Sequence, residues 1–292
     1  MYSQRFALIV DADREIAALV SSVFSADQWS VTHVPSNAAA LASVQSCRFD
    51  IVLTSEKTGG AEDADLLRRI RRIHPHTRVI ILAREGAPAN VIDAMRESAF
   101  SYFTAPFELD ELKHMLQIAM DAPPWDDGIE LKAATPTWLQ LFARCELTTA
   151  DRLVHFVHEI GEGLSEQERS ELGMAFREML LNAIEHGGHF DPKEYVEITY
   201  LRSRRAVSCR IRDPGPGFSL AEIPHAAIAN PPEDPFQHLA HREEQGLRPG
   251  GLGVLITRHS VNELIYNEKG NEVILIKYLD AEPTDEVRGS AG

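Results

Sequence analysis

Cysteine is scarce. Cys47, Cys145 and Cys209 are the only three, an odd number with neither disulfide nor zinc spacing, which predicts reduced thiols in the cytosol. Long apolar runs are also missing: Val79 to Ala83 and Val273 to Ile276 are among the longest, far below the roughly 20 residues that cross a bilayer. Met1 to Arg5 leads straight into a strand-like segment, with no basic patch followed by an apolar stretch, so an export signal is not expected and a cytoplasmic location is. Basic residues are in the minority, 29 Lys and Arg against 44 Asp and Glu, a formal charge of −15. That balance argues against nucleic acid as the main ligand, because a phosphate backbone needs a basic face.

What is present is enough for two ordinary cores: 292 residues, 44% hydrophobic and 25% charged. Residues 1–122 carry 12 basic and 16 acidic groups, net −4, which leaves net −11 for the remainder. An acidic second half that binds an anion must do so through helix termini, glycines and a metal.

From residue 5 to 120, short apolar segments alternate with stretches of helical spacing. Phe6–Val10, Ser30–Val34, Phe49–Thr54, Arg78–Ala83 and Phe100–Phe103 read as strands, and Ile16, Val20, Val23 and Phe24 mark one helical stripe. Five such units predict a flavodoxin-like (βα)5 domain over residues 1–122, a parallel sheet with helices on both faces. The breaker-rich Asp121–Gly128 segment predicts a linker over 123–135. Beyond it the order is strand, helix (about 150–164), helix (about 166–186), hairpin, Pro-rich loop, helix and two strands. This predicts a second domain over 136–280, an α/β sandwich with one open face, and a disordered tail over 281–292.

Within the second helix, Leu172, Phe176, Met179, Leu180 and Ala183 form an apolar stripe, while Glu178, Asn182 and His186 share a neighbouring one. By itself the polar stripe is consistent with a solvated helix face. In Ala206–Asp213, however, Val207, Cys209 and Ile211 alternate onto one face and carry Asp213 inward at the strand's end, a costly place for an unpartnered carboxylate. Pro214-Gly215-Pro216-Gly217 follows at once, and Gly250-Gly251-Leu252-Gly253 opens the later apolar segment. Glycine turns permit close backbone approach, and a glycine turn opening a helix presents free N–H groups to an anion.

Taken together, these segments resemble the Bergerat-type ATP-binding domain shared by histidine kinases, type II topoisomerases, certain chaperones and MutL proteins. Glu178-x-x-x-Asn182-Ala183-x-x-His186-Gly187 looks like that family's N box, Asp213-x-Gly215-x-Gly217 its first glycine box and Gly251-x-Gly253 its second. The resemblance implies ATP and Mg²⁺ as cofactors. By it, Asn182 holds the metal, Asp213 accepts from the adenine amino group, the glycines shape the phosphate lid, and Glu178 orients or deprotonates the attacking hydroxyl. His186 falls among the nucleotide-binding positions. Arg242 and Arg248 are the lid cations, Arg248 being the one assigned to phosphate. His225, His238 and His241 read as loop residues rather than metal ligands.

His155 and His158 sit in a helix of the ATP domain itself and read as packing or surface residues, not as a phosphoacceptor. The branch that remains is similar to the anti-sigma-factor serine kinases of bacterial partner switching, which phosphorylate a STAS-domain antagonist or bind a sigma factor. Those relatives pair through their sheets, so a homodimer is implied. Gly270-Asn271 departs from the Gly-Thr common there. A non-catalytic ATP-binding interaction module and a histidine-kinase-like protein remain as alternative readings.

The first half resembles the receiver domain of response regulators, with Asp11 ending the first strand and Thr104-Ala105-Pro106-Phe107 following the fifth. Its chemistry is missing: the acceptor position falls on Ser55 (or Glu56 one register off), the acidic pair becomes Asp11-Ala12 with Asp13 beyond, and the hydroxyl and lysine positions are Ala83 and Ala105. A pseudo-receiver that serves as a docking or dimerisation surface is the expectation.

Overall fold

Five apolar segments of the first half pair in parallel, and all but the edge strand Trp29–Val34 are buried along most of their length, as strands covered on both faces are. They are β1 (Arg5–Val10), β2 (Trp29–Val34), β3 (Ile51–Thr54), β4 (Arg78–Ala83) and β5 (Ser101–Thr104), in the spatial order β2-β1-β3-β4-β5. A computed structural model describes residues 4–55, 61–84, 86–121, 128–161, 164–217 and 253–279. The helices α1 (Arg14–Ser21), α2 (Asn37–Ser46), α3 (Ala61–Ile73), α4 (Pro88–Arg96) and α5 (Leu109–Asp121) lie between and after the strands. Local chemistry sets their starts: Asp13 accepts from the Glu15 N–H at 2.9 Å, and Ser36 from the Ala39 N–H at 3.3 Å. Leu8 and Val52 face Leu67 and Ile70 on one side of the sheet, while Ile9 and Leu53 join Leu112 on the other.

The second half is an antiparallel sheet in the order β10-β11-β9-β8-β7-β6. Its strands are β6 (Ile129–Thr135), β7 (Trp138–Arg144), β8 (Tyr195–Arg202), β9 (Ala206–Arg212), β10 (Glu263–Tyr266) and β11 (Glu272–Tyr278). One face is buried under α6 (Leu147–Glu159), α7 (Glu166–Asn182) and α8 (Gly253–Ser260), with Ile198, Tyr200, Cys209 and Ile211 packed against Phe156, Phe176 and Leu180. Tyr195, Leu201, Ile265 and Tyr278 leave the other face open. Ser165 and Glu168 form a reciprocal capping box at the head of α7. Lys277 fastens strand to helices, donating to Glu171 Oε2 at 2.6 Å and to the Ser260 carbonyl at 3.0 Å.

Three boundaries differ from expectation. The linker predicted over 123–135 ends earlier, because residues 129–135 form β6, an edge strand whose Ile129 and Leu131 pair with Ala143 and Leu141 of β7. A register shift between Leu131 and Ala133 breaks the alternation there, and the preceding breakers masked the rest. The long helix starts at Leu147 rather than near Ala150, and the second helix gives way after Asn182 to a π-helical turn, Ala183–Gly187, closed by the Gly188 N–H on the Ala183 carbonyl at 2.9 Å. The predicted tail lies outside the described residues.

The two domains meet where β5 and α4 face α6 and β6. Arg152, 3% exposed, donates Nε to the Phe100 carbonyl at 2.9 Å and Nη2 to that of Ala99 at 3.4 Å, with its guanidinium 4.2 Å from the Phe100 ring centre. The His155 ring lies 4.0 Å from that of Phe103, the Thr104 hydroxyl donates to Glu159, and Arg96 donates to the Ala134 carbonyl at 2.7 Å. His155 is thus a packing residue, and burial pushes its imidazole down to about 4. The Glu159 carboxylate, 3.9 Å from the Nδ1 of its neighbour His158, raises the pKa of that imidazole.

Candidate nucleotide site

Three segments converge at one end of the second sheet. The first is the C-terminal turn of α7 with its π extension, whose apolar stripe (Leu172, Phe176, Met179, Leu180, Ala183) is buried as the periodicity requires. Burying that stripe turns Glu178 and Asn182 toward α8: a Cβ placed on Gly253 would lie 2.7 Å from Glu178 Oε2 and 3.7 Å from Asn182 Nδ2. A side chain at 253 would press on the Glu178 carboxylate and make it shift, while Asn182 stays at ordinary contact distance. His186 sits exposed on the π turn, at the same end of the helix. The chain leaves that turn through His189 and Phe190, both at positive φ (52° and 53°), a conformation that side chains adopt at some cost.

The second segment is the end of β9. Val207, Cys209 and Ile211 point into the core, and Asp213 follows them half-buried, as alternation predicts. Its carboxyl is wedged between two glycines: a Cβ on Gly187 would overlap Asp213 Cγ, and one on Gly215 would lie 2.9 Å from both Asp213 Oδ1 and the Gly187 Cα. Burial raises the Asp213 pKa; the Gly215 N–H, donating to Oδ1 at 2.8 Å, and the nearby Lys269 ammonium oppose that rise. Among the described residues only main-chain N–H groups bond to this carboxylate, so it retains acceptor capacity for a ligand donor.

The third segment, the tip of the β10–β11 hairpin, was passed over in the sequence except for its Gly270-Asn271 departure. Asn271, 4% exposed, accepts the Asp213 N–H on its carbonyl at 3.0 Å and donates Nδ2 to the Asp213 carbonyl at 3.3 Å. Its available signal was two asparagines, Asn267 and Asn271, flanking a turn that needs glycine, since Gly270 has φ +76°. Gly217 adopts φ +85° where the Lys269 carbonyl crosses it, so a side chain there would overlap that carbonyl.

Glu178, Asn182, Gly187, Asp213, Gly215, Gly217 and Gly253 are therefore brought to one end of the domain. Gly251, Arg248 and Arg242 lie outside the described residues, as do the loop histidines. The donor set fits a nucleotide carrying its own metal. It offers a half-buried carboxylate for an exocyclic amine, an amide and a carboxylate together at the head of α8, and glycines where a Cβ would fill the space. No cluster of three or more His, Cys, Asp or Glu able to hold a metal unaided occurs among the described residues. Asn182 would share the ion with phosphate oxygens, which suits Mg²⁺.

The strand-end pocket of the first domain is different. Asp11, 1% exposed, accepts the Asp13 N–H on Oδ1 at 2.7 Å, and the Ser55 hydroxyl donates to its carboxylate. The Ser55 N–H donates to the Val10 carbonyl at 2.8 Å, aligning Ser55 with the end of β1; Glu56 lies outside the described residues. Ala83 and Ala105 supply neither hydroxyl nor ammonium. Asp63 lies buried behind this pocket, hydrogen-bonded by Thr54 and by Asn37 at 3.0 Å, and burial raises its pKa.

Comparison with known proteins agrees with both halves. Residues 7–117 match the response regulator receiver domain and residues 143–277 the histidine kinase-like ATPase domain. Sporulation initiation phosphotransferase F of Bacillus subtilis is 29% identical over 106 residues, covering 36% of this chain and 86% of that protein. Response regulator protein FleR of Pseudomonas aeruginosa is 29% identical over 160 residues, covering 53% of this chain and 33% of that protein, so this chain spans about a third of that relative's length. A crystallised receiver domain from Clostridium thermocellum is 28% identical and covers 40% of this chain and 94% of its own, with a TM-score of 0.36. Residues 7–117 form a response regulator receiver domain and residues 143–277 a histidine kinase-like ATPase domain.

Proposed function

We propose that this signalling protein is an ATP-dependent serine/threonine kinase of the anti-sigma-factor type, acting on a STAS-domain antagonist and binding a sigma factor in the alternate state. The observation that carries the reading is the placement of Glu178 beside Asn182 at the head of α8. A carboxylate there can take the proton of an attacking hydroxyl, while the neighbouring amide holds metal. Bound ATP with Mg²⁺ supplies the phosphoryl group. The first domain, lacking acceptor, hydroxyl and ammonium, acts as a docking module rather than as a phosphorelay station.

One further observation favours serine over histidine transfer within the chain. His155 and His158 belong to the ATPase domain's own α6, and His155 is packed against Phe103, where its ring is closed to a phosphoryl donor. A homodimer through the open sheet face belongs to the same proposal.

The test is incubation of the purified protein with Mg·ATP and candidate STAS proteins, recording the acid stability of the transferred label. Acid-stable phosphoserine supports the reading, and Glu178→Gln should abolish it while leaving ATP binding in place. Acid-labile label would place the protein with histidine kinases, and nucleotide binding without transfer would make it a non-catalytic module. Asn182→Ala should remove metal-dependent nucleotide binding.

A further inference from the structure

The β10–β11 hairpin tip makes more contacts with the glycine turn than a surface turn needs. Lys269 Nζ donates to the Gly215 carbonyl at 3.1 Å, and the Lys269 carbonyl is packed against Gly217. Asn271 brackets Asp213 through that residue's N–H and carbonyl. Asn271 is itself fixed: its Oδ1 accepts from Asn267 Nδ2 at 3.0 Å and its N–H donates to Asn267 Oδ1 at 3.1 Å. The Gly270 N–H closes the turn on the Asn267 carbonyl at 3.1 Å. Each side-chain polar atom of this amide pair thus bonds to main chain or to its mate.

We infer that Lys269 and Asn271 are positioning residues for base recognition, a clamp that fixes the Asp213 carboxylate and the glycine turn in the geometry that selects adenine. This rests on the ATP-site reading and adds to it the origin of base selectivity. Two rigid arms hold one acid: Asn271 fixes its backbone, and Lys269 fixes the carbonyl of the residue whose N–H bonds to it. Among the described residues, the charged and titratable groups around Asp213 are Lys269 and Cys145. Lys269 faces it from the hairpin, and the buried Cys145 thiol lies behind it, in the loop after β7. Burial raises the Asp213 pKa, and Lys269 opposes that rise, favouring the ionised carboxylate that accepts an amino group. Removing the ammonium moves ionisation to higher pH, so binding that depends on the anion should fail earlier as pH falls.

The test compares the dissociation constants of ATP and inosine triphosphate, in which a carbonyl replaces the 6-amino group, for the full chain across pH 5 to 8. Asp213→Asn is the control for the pocket. Lys269→Met should weaken ATP by about tenfold, the order expected for one hydrogen bond to a charged group, leave inosine triphosphate nearly unchanged, and shift the acidic limb of ATP binding upward. Lys269→Arg should restore both. Asn271→Ala should reduce the ATP preference without moving the acidic limb. Melting temperatures taken in parallel identify any variant that fails to fold, and Lys269→Gln then replaces it. If Asp213→Asn weakens ATP while the Lys269 and Asn271 variants keep the wild-type preference and pH limb, the clamp is refuted and the pocket stands. If Asp213→Asn has no effect, the adenine site itself is wrong and the clamp falls with it.

Discussion

Replacing Arg152 with Met tests whether the two domains are held as one unit. Methionine keeps the apolar stem but removes the guanidinium, which is 3% exposed and bonded to the Phe100 and Ala99 carbonyls at 2.9 and 3.4 Å. Hydrogen bonds to a charged group contribute about 1.5–3 kcal/mol net. The guanidinium stacked 4.2 Å from the Phe100 ring centre adds on the order of 1–2 kcal/mol in a desolvated contact. The 3.4 Å bond is long and its contribution small, so the contact should be worth about 3–4 kcal/mol, a factor of several hundred in the equilibrium between docked and separated domains. Trp29 reports on the first domain and Trp138 on the second, so urea unfolding followed by fluorescence of the two single-tryptophan variants separates the halves. Wild type should lose both signals together, and Arg152→Met should split them or lower the shared midpoint by the stated amount. A loss below about 1 kcal/mol with coincident transitions would refute the assignment of Arg152 as the principal tie.

Gly187→Ala should abolish or weaken ATP binding by at least tenfold with little change in melting, because the added Cβ overlaps Asp213 Cγ and the acid must move; calorimetry with Mg·ATP reads it. Gly188→Ala meets Cys145 Sγ and, at 2.8 Å, its Cβ, so it should instead cost about 1–3 kcal/mol of stability, measured by denaturation. Acidification should destabilise the fold as pH falls from 6.5 toward 4. Burial holds folded His155 near 4 against an ordinary 6.5, so the unfolded chain binds the proton first, and the loss by pH 4 reaches about 3 kcal/mol. His155→Phe should flatten that slope.

Most of the pocket was legible because it is written in local periodicity. Alternation through Val207, Cys209 and Ile211 places Asp213 inward whatever else the chain does, and the stripe through Leu172, Phe176 and Leu180 fixes which way Glu178 and Asn182 turn. What escaped was non-local. Arg152 reads in sequence as a polar residue on an amphipathic helix, and nothing in its neighbours says that carbonyls more than fifty residues earlier will accept its hydrogen bonds. Lys269 and Asn267 likewise look like ordinary hairpin residues until β11 pairs with β9 and carries their turn onto Gly215. β6 was lost for a different reason: its alternation is interrupted at Leu131/Ala133 and begins directly after a run of breakers.

The interface also bounds how the first domain can govern the second. Asp151 of α6 lies 3.8 Å from His114 of α5 and 3.5 Å from Arg177, the residue before Glu178, so the helix that receives the first domain touches the helix that carries the site. On the reading of the first domain as a docking module, with Ser55 bonded to Asp11 and alanine at 83 and 105, a regulating signal comes as binding energy. Arg152 alone contributes about 3–4 kcal/mol to the tie, so a partner must favour the separated arrangement by at least several hundredfold to populate it appreciably. A partner that binds docked and separated forms equally, however tightly, leaves the position of α6 and the site beyond it unchanged.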